Sequence, residues 1–372
     1  TCEVWEPARA VLSERFPGVP NEPDVTKLRS LPDEIELLTA GFPCQDLSQA
    51  GMTAGIGGKR SGLVDHVFRL LDHRPIPVVV LENVSFMLQL DRGAAMDRLA
   101  TAFEERGYRW AYRTVNSLAF VPQRRERVFF VASRCDLEPE QVLFAEEATP
   151  RQRATLLTTH AHGFYWTEGT RGLGWAPDSV PTLKNGSTVG IPSPPAILMP
   201  TGAIIKPDIG DAERLQGFEE GWTRAAPDRS RWSLVGNAVT VPVARWLGRR
   251  LVEPGFYFRE LDRDWSVRGA FPKAARFDGF LRHVVEINSY PAWMKRTSLH
   301  RFLRHRGAPL SVRATTGFLS RAEASSLRFV PGFLDAVRDH LGRMQTIPIA
   351  RPARRMARRS QHASRHLVAA AE

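Results

Sequence analysis

The stretch Ile35-Glu36-Leu37-Leu38-Thr39-Ala40-Gly41-Phe42-Pro43-Cys44-Gln45-Asp46-Leu47-Ser48 decides how the chain is read. Its first six residues make a short apolar run closed by glycine, the pattern of a strand. A chain leaving a parallel strand delivers its next residues to the carboxyl edge of the sheet, where open α/β sheets gather reactive groups. Cys44, set between Pro43 and a polar loop, stands where a nucleophile belongs, although a free cysteine is as readily a small buried hydrophobe. Its neighbours decide between the two.

Downstream, Ile76-Pro77-Val78-Val79-Val80-Leu81 is almost wholly apolar, as in a strand buried on both faces, and it ends at Glu82-Asn83-Val84. A carboxyl group at a strand tip is either an acid placed for chemistry or the acidic start of the next helix. Val121-Pro122-Gln123-Arg124-Arg125-Glu126-Arg127 sets three arginines before the apolar run 128–132, with a solvated charge cluster as the alternative. Glu213-Arg214-Leu215-Gln216-Gly217-Phe218 precedes Val235-Gly236-Asn237-Ala238-Val239, a glycine-asparagine turn running into an apolar helix.

Together and in this order, these blocks resemble the DNA (cytosine-5) methyltransferase family. Its signatures are a prolyl-cysteine loop, a Glu-Asn-Val strand end, a Gln-Arg-Arg-Glu-Arg run, an Arg-Leu-Gln-Gly-Phe segment and a Gly-Asn-Ala/Ser-Val close. The resemblance runs from the start of the chain to about Leu251. It implies an α/β fold, a Rossmann-like S-adenosylmethionine-dependent methyltransferase domain with an inserted target-recognition domain; past Leu251, beyond the resemblance, residue spacing alone predicts a C-terminal helical extension. On that reading residues 1–132 and 212–251 form the catalytic core and 133–211 the target-recognition region. Residues 252–350 form the extension and 351–372 a disordered basic tail.

The resemblance also implies roles. Carbon 5 of cytosine becomes nucleophilic only after a group adds at carbon 6, and the thiolate of Cys44 is the candidate. Glu82, kept protonated, would stabilise the charge pushed onto the ring, which requires a carboxyl pKa raised in a closed pocket. Arg127 resembles the arginine that contacts the target base, and Arg125 is expected to support the loop or the flipped nucleotide's backbone. The base must leave the duplex stack. Gln45, Ser48 and Arg60 fall where the family contacts the flipped nucleotide and its phosphates, and Thr182 with Leu183 resembles a Thr-Leu pair beside that phosphate.

For S-adenosylmethionine, the resemblance points to Glu3, Trp5, Asp24, Val25, Pro43, Asn237, Ala238 and Val239. Glu3 would hold the ribose hydroxyls and Trp5 would lie against adenine, although the family acid stands directly before the aromatic residue and here Val4 takes that place. Residues 1–7 look like the end of a second strand. The first strand with its Phe-x-Gly-x-Gly turn is not in the sequence, so an N-terminally incomplete form is expected. The glycine-rich stretch between Ala50 and Gly62 lacks the Gly-Lys-Ser/Thr order of a phosphate loop and reads as a flap over DNA.

Composition agrees with this reading. With 372 residues, 43% hydrophobic and 24% charged, the chain is long enough for two or three domains. No apolar run approaches a membrane span and no secretory signal is present, so a cytoplasmic, nucleoid-associated protein is expected. Three scattered cysteines make neither a disulfide framework nor a metal-spaced cluster. A net charge of +11 favours a polyanionic partner, duplex DNA on the resemblance, though charge alone would not separate it from RNA or an acidic membrane. Two rivals are a catalytically silent DNA-binding relative and a tRNA methyltransferase. The tRNA branch carries a Cys-Phe-Thr signature and a short recognition region, and neither is present. A cognate restriction or defence protein stays open as a partner. Residues 277–286, 299–306 and 323–340 mix apolar and basic residues at helical spacing, and the arginine-rich tail is expected to add sequence-blind attraction for DNA.

Overall fold

Runs of Val, Leu and Phe in the first half of the chain have no polar face to offer water, and they form the centre of a sheet covered on both sides. The computed structural model describes residues 1–42, 62–151, 156–184 and 194–346. Pro43, Cys44, Gln45, Ser48, Arg60, nearly all of the glycine-rich stretch and the basic tail lie outside the described residues. The main sheet is built from β1 (Leu37–Gly41), β2 (Val78–Val84), β3 (Arg109–Asn116) and, after the short β4 (Gln123–Arg124), β5 (Glu126–Ser133). Their order is β1-β2-β5-β3, with β1 parallel to β2 and the remaining pairs antiparallel.

Side-chain alternation divides this sheet cleanly. Val79, Leu81, Trp110, Tyr112, Val128 and Phe130 pack on one face under two helices, Leu63–His73 and Ala94–Glu104. The first of these buries Val64, Val67, Phe68, Leu70 and Leu71, the spacing of an amphipathic helix. Val80, Ala111, Val115, Phe129 and Val131 pack on the opposite face under the helix Val241–Val252, which contributes Val243, Trp246 and Leu247. These are the layers of an α/β methyltransferase fold, and they place the carboxyl ends of β1 and β2 side by side.

A second sheet is made from β6 (His162–Phe164), β7 (Ala176–Pro177), β9 (Ala196–Leu198), β10 (Ile204–Lys206) and β14 (Ala308–Pro309), while β8 (Val180–Pro181) pairs with β4. Phe164, Leu198 and Ile204 of this sheet share a core with Phe318 of the helix Val312–Glu323 and with Phe333 and Val337 of the helix Phe333–Thr346.

Two expectations are corrected. Residues 277–286 are not helical: β12 (Ala274–Phe277) and β13 (Arg282–Val285) form a hairpin beside β3, and β11 (Asp262–Asp264) adds the outer strand. The apolar spacing there has period two, since Ala275 faces one core and Ala274 the other. Arg276, 1% exposed, is tolerated in that sheet because Asp262 and Glu140 pair with it at 2.6 and 3.4 Å. The start of the chain is likewise not a strand of the main sheet. It makes one isolated parallel bridge, Cys2 with Glu22, and then enters the helix Glu6–Arg15. Among the described residues nothing hydrogen-bonds the outer edge of β1, where Leu37 is 44% exposed.

Candidate active site

The register of β2 and β5 sets Glu82 opposite Phe129 and Val84 opposite Arg127, so Glu82 and Arg127 are diagonal neighbours on one face. Arg127 Nε lies 3.1 Å from Glu82 Oε1, and both side chains are largely withdrawn from water. That oxygen is buried and has no other polar partner among the described residues. Burial raises the carboxyl pKa of Glu82, against the opposing pull of the Arg127 and Arg125 guanidiniums. The same burial lowers the pKa of Arg127, and Glu82 partly offsets this. The arrangement can hold a proton on a carboxyl group within reach of a cation, which suits a general acid.

This pair lies beside the end of β1. Gly41 pairs with Glu82, and a side chain there would meet Glu82 Oε2 at 3.6 Å. Asn83 Nδ2 donates to Phe42 O at 2.9 Å, and Val84 N donates to Asn83 Oδ1 at 2.8 Å. The buried asparagine therefore fixes the carbonyl two residues before Cys44. Sequence reasoning treated Asn83 as part of a motif and missed this task, although a carboxamide is the one side chain at that tip able to donate and accept at once.

Arg125 is 1% exposed and spends its terminal nitrogens on main-chain carbonyls: Nη1 donates to Gly236 O and Nη2 to Ala238 O, both at 3.0 Å. Burial, with Arg127 beside it, pulls its pKa down. Its geometry is that of a group positioning the 236–238 turn. Gln123, fully buried, was likewise missed. Its Nε2 donates to Leu215 O at 3.1 Å and Gln216 Oε1 at 2.6 Å, and its Oε1 accepts from Leu183 N at 3.0 Å. One amide thus ties together three segments far apart in sequence. Gln216 also donates to Ala238 O, and Thr240 Oγ1 lies 2.8 Å from Ser117 Oγ. Gly217, at φ +90, lets this segment meet Pro242, since a Cβ would come within 2.3 Å of its ring. Glu213 is buried with its carboxylate accepting from Gly221 N and Thr223 N and paired with Arg231 at 3.0 Å, so its role is to shape the 221–223 turn.

Thr182 reaches this assembly from the end of β8, the strand that pairs with β4. Its Oγ1 donates to Arg124 O at 3.1 Å, and its carbonyl accepts from Tyr165 OH at 2.7 Å. Burial, with Glu168 nearby, pushes the Tyr165 phenol up to about 12.

The residues expected to hold S-adenosylmethionine fall in two places. Glu3 Oε1 accepts from Trp5 N at 2.7 Å, and Asp24 Oδ1 accepts from Thr26 N and Oγ1, which keeps Asp24 below its usual range. The carbonyl of Val25 accepts from Arg69. Asn237 ends the helix Asp228–Asn237, with Ala238 and Val239 leading into the next helix. The helix Glu6–Arg15 packs against Asp228–Asn237, and Arg15 donates to Gly221 O and Trp222 O, so the two ends of the set adjoin. Asn21, beside the Cys2–Glu22 bridge, has both amide atoms buried without a partner among the described residues, an unmet capacity that a ribose or adenine would use. The residues present fit such a ligand.

A family model described as C-5 cytosine-specific DNA methylase matches residues 1–167. The chain is 43% identical over 339 residues to the Type II methyltransferase M2.BsuMI of Bacillus subtilis (strain 168), an alignment covering 86% of each chain. It is 28% identical over 283 residues to the Type II methyltransferase M.DsaV of Dactylococcopsis salina, covering 65% of this chain and 77% of that one. In fold it is similar to the crystal structure of the S. pombe Dnmt2 methyltransferase, with a TM-score of 0.51 and 16% identity over 68% of this chain and 90% of that one.

Proposed function

The chain belongs to the C-5 cytosine-specific DNA methylase family, and on that premise we propose that it methylates carbon 5 of cytosine in duplex DNA through a covalent adduct on Cys44. The observation that carries this reading is the strand tip at which Glu82, with its raised carboxyl pKa, adjoins both Arg127 and the carbonyl of Phe42 that Asn83 holds.

The thiolate of Cys44 adds to carbon 6 of an extruded cytosine, and the electron pair released by the ring moves toward nitrogen 3 and carbon 5. Glu82 shares its proton with nitrogen 3, so negative charge does not accumulate on the base. Arg127 keeps the carboxyl aimed and balances it as the proton shifts. S-adenosylmethionine, when bound, supplies an electrophilic methyl group for carbon 5. Glu3, Trp5, Asn21, Asp24, Val25 and the 237–239 turn would hold it. Water then takes the proton from carbon 5 as the Cys44 thiolate leaves, which restores the aromatic ring. Arg125 and Gln123 keep the 236–238 and 183 backbones in register with β5 while the base is held.

The Type II methyltransferases among the relatives support a place in a restriction-modification system, working on DNA in the cytoplasm. No helix among the described residues is long and apolar enough to cross a membrane. The test is methyl transfer to duplex DNA followed by mass spectrometry of the nucleosides. The wild-type chain should yield 5-methylcytosine and Cys44→Ala none, with duplex binding retained. Transfer by Cys44→Ala would overturn the covalent reading.

A further inference from the structure

The segments that follow β6 and β8 bring an anion and a cation to the rim of this site that the reaction does not use. Lys184 Nζ lies 2.6 Å from Glu168 Oε1 and 3.8 Å from the ring centroid of Tyr165. The backbone carrying Lys184 is pinned to β4, because Leu183 N donates to Gln123 Oε1 and Thr182 Oγ1 donates to Arg124 O. The Tyr165 ring beneath the ammonium is pinned by its hydroxyl on Thr182 O. Tyr165 lies within electrostatic range of Arg127, and the 182–183 backbone is bonded to β4, the short strand just before Arg127, so Lys184 is on the same side of the molecule as the Glu82–Arg127 pair.

Both partners stand on held backbone, and they differ in exposure. Glu168 N–H donates to Tyr165 O at 3.2 Å and its carbonyl accepts from Arg321 Nε at 3.2 Å, and its carboxylate is the more withdrawn of the two charges, 23% exposed. Lys184 is 38% exposed on a flexible four-carbon stem whose ammonium can turn to another oxygen at little cost. Arg124, exposed on the β4 strand that the Lys184 segment is tied to, makes no ion pair among the described residues and adds a second cation to this rim. A phosphodiester offers Lys184 the same kind of anionic oxygen that Glu168 does, and duplex DNA presents such groups in closely spaced rows.

We propose that Lys184 binds a backbone phosphate of the DNA strand that carries the target base, and that Glu168 holds the same ammonium when DNA is absent, so that DNA binds by displacing it. The inference rests on the DNA-binding part of the function proposed above. It assigns Glu168 a competing role, with consequences opposite in sign to those of an ion pair that merely braces the loop.

The experiment is equilibrium binding of the full chain to a labelled duplex by fluorescence anisotropy across a salt series. Lys184→Gln should weaken binding and make the slope of log K against log salt shallower by about 0.9, the loss of one phosphate contact. Glu168→Gln should tighten binding about threefold or more, because the lysine is released to the phosphate. Weakening by both variants, together with a parallel loss of thermal stability, would mark a structural ion pair and overturn the proposal, as would an unchanged salt slope in Lys184→Gln. Methylation of the same duplex by the wild-type chain is measured alongside. Opposite binding effects without any methyl transfer would uphold the phosphate site and sink the methylation reading, whereas methyl transfer without the opposite effects would sink the phosphate site alone.

Discussion

Asn83→Ala should slow methylation far more than it weakens DNA binding. The substitution removes the donor that holds Phe42 O at 2.9 Å and the acceptor that serves Val84 N at 2.8 Å. Phe42 is buried, so its carbonyl has no ready access to water as a replacement partner. An unmade buried acceptor costs about 1–3 kcal/mol. At about 1.4 kcal/mol for each tenfold change, that penalty corresponds to a loss of about 5- to 150-fold in the population keeping the native arrangement at the end of β1. Cys44 follows two residues later, and a misplacement of about 1 Å at a reacting group can cost about 10²-fold in rate. The single-turnover rate with saturating duplex should therefore fall by about one to two orders of magnitude, while the dissociation constant for DNA stays within about threefold. Asn83→Asp keeps an acceptor for Val84 N but sets an anionic oxygen against the Phe42 carbonyl in place of the donor, so it should be impaired at least as much. A wild-type rate in Asn83→Asp, or a change confined to DNA affinity, would refute the argument that this carboxamide positions the cysteine.

How much of this was legible in the sequence depends on whether neighbours in the chain or neighbours in space carry the signal. The apolar runs ending at Gly41 and Val84 and the arginine run before β5 announced the strands correctly: β2 and β5 are buried on both faces and tolerate almost no polar residue, while the half-exposed edge strand β1 was read from its short apolar run closed by glycine. Glu82 and Arg127 could be named from their motifs, but their contact depends on the antiparallel register of β2 and β5, which no local pattern encodes. Gln123 was invisible for the same reason: its three partners lie 60 to 93 residues away. The misreading of 277–286 had a different origin. Short segments fit a period of two or 3.6 about equally well, and here long-range pairing of Ala274–Phe277 with β3 settles the matter, with the buried Arg276–Asp262 pair bracing it. The contacts of Lys184 could not be read at all, since Glu168 and Tyr165 meet it only through the folded arrangement of the segments after β6 and β8.

Glu82→Gln can donate a hydrogen bond but cannot transfer a proton, so single-turnover methylation should slow by about 10²-fold. On the proposed mechanism the protonated carboxyl is the active form, so the wild-type rate should decline as pH rises through the raised Glu82 pKa, and this limb should be missing from the variant's pH–rate profile. Removing residues 351–372 should weaken binding to all duplexes and flatten its salt dependence without moving the methylated position, as read by bisulfite sequencing, because phosphate contacts are blind to sequence. The last prediction concerns acid stability. His340 is buried with Nδ1 accepting from Ile204 N at 3.1 Å and Nε2 donating to Leu310 O at 2.9 Å, a pairing only the neutral ring can make. Burial holds its pKa below the ordinary 6.5, and Arg343 adds to that lowering, while the bond to Leu310 O works against it. The unfolded chain therefore takes up a proton at a pH where the folded chain does not. The stabilisation is complete above about pH 6.5 and drains away as pH falls through that value toward the lowered folded pKa. Thermal unfolding followed from pH 8 to pH 5 should show a falling midpoint. His340→Gln should start lower at pH 8, having lost part of the clamp between the helix Phe333–Thr346 and the second sheet, and should decline less steeply. Equal slopes in the two proteins would mean that the titrating group lies elsewhere, with His162, also buried and lowered, the first to examine.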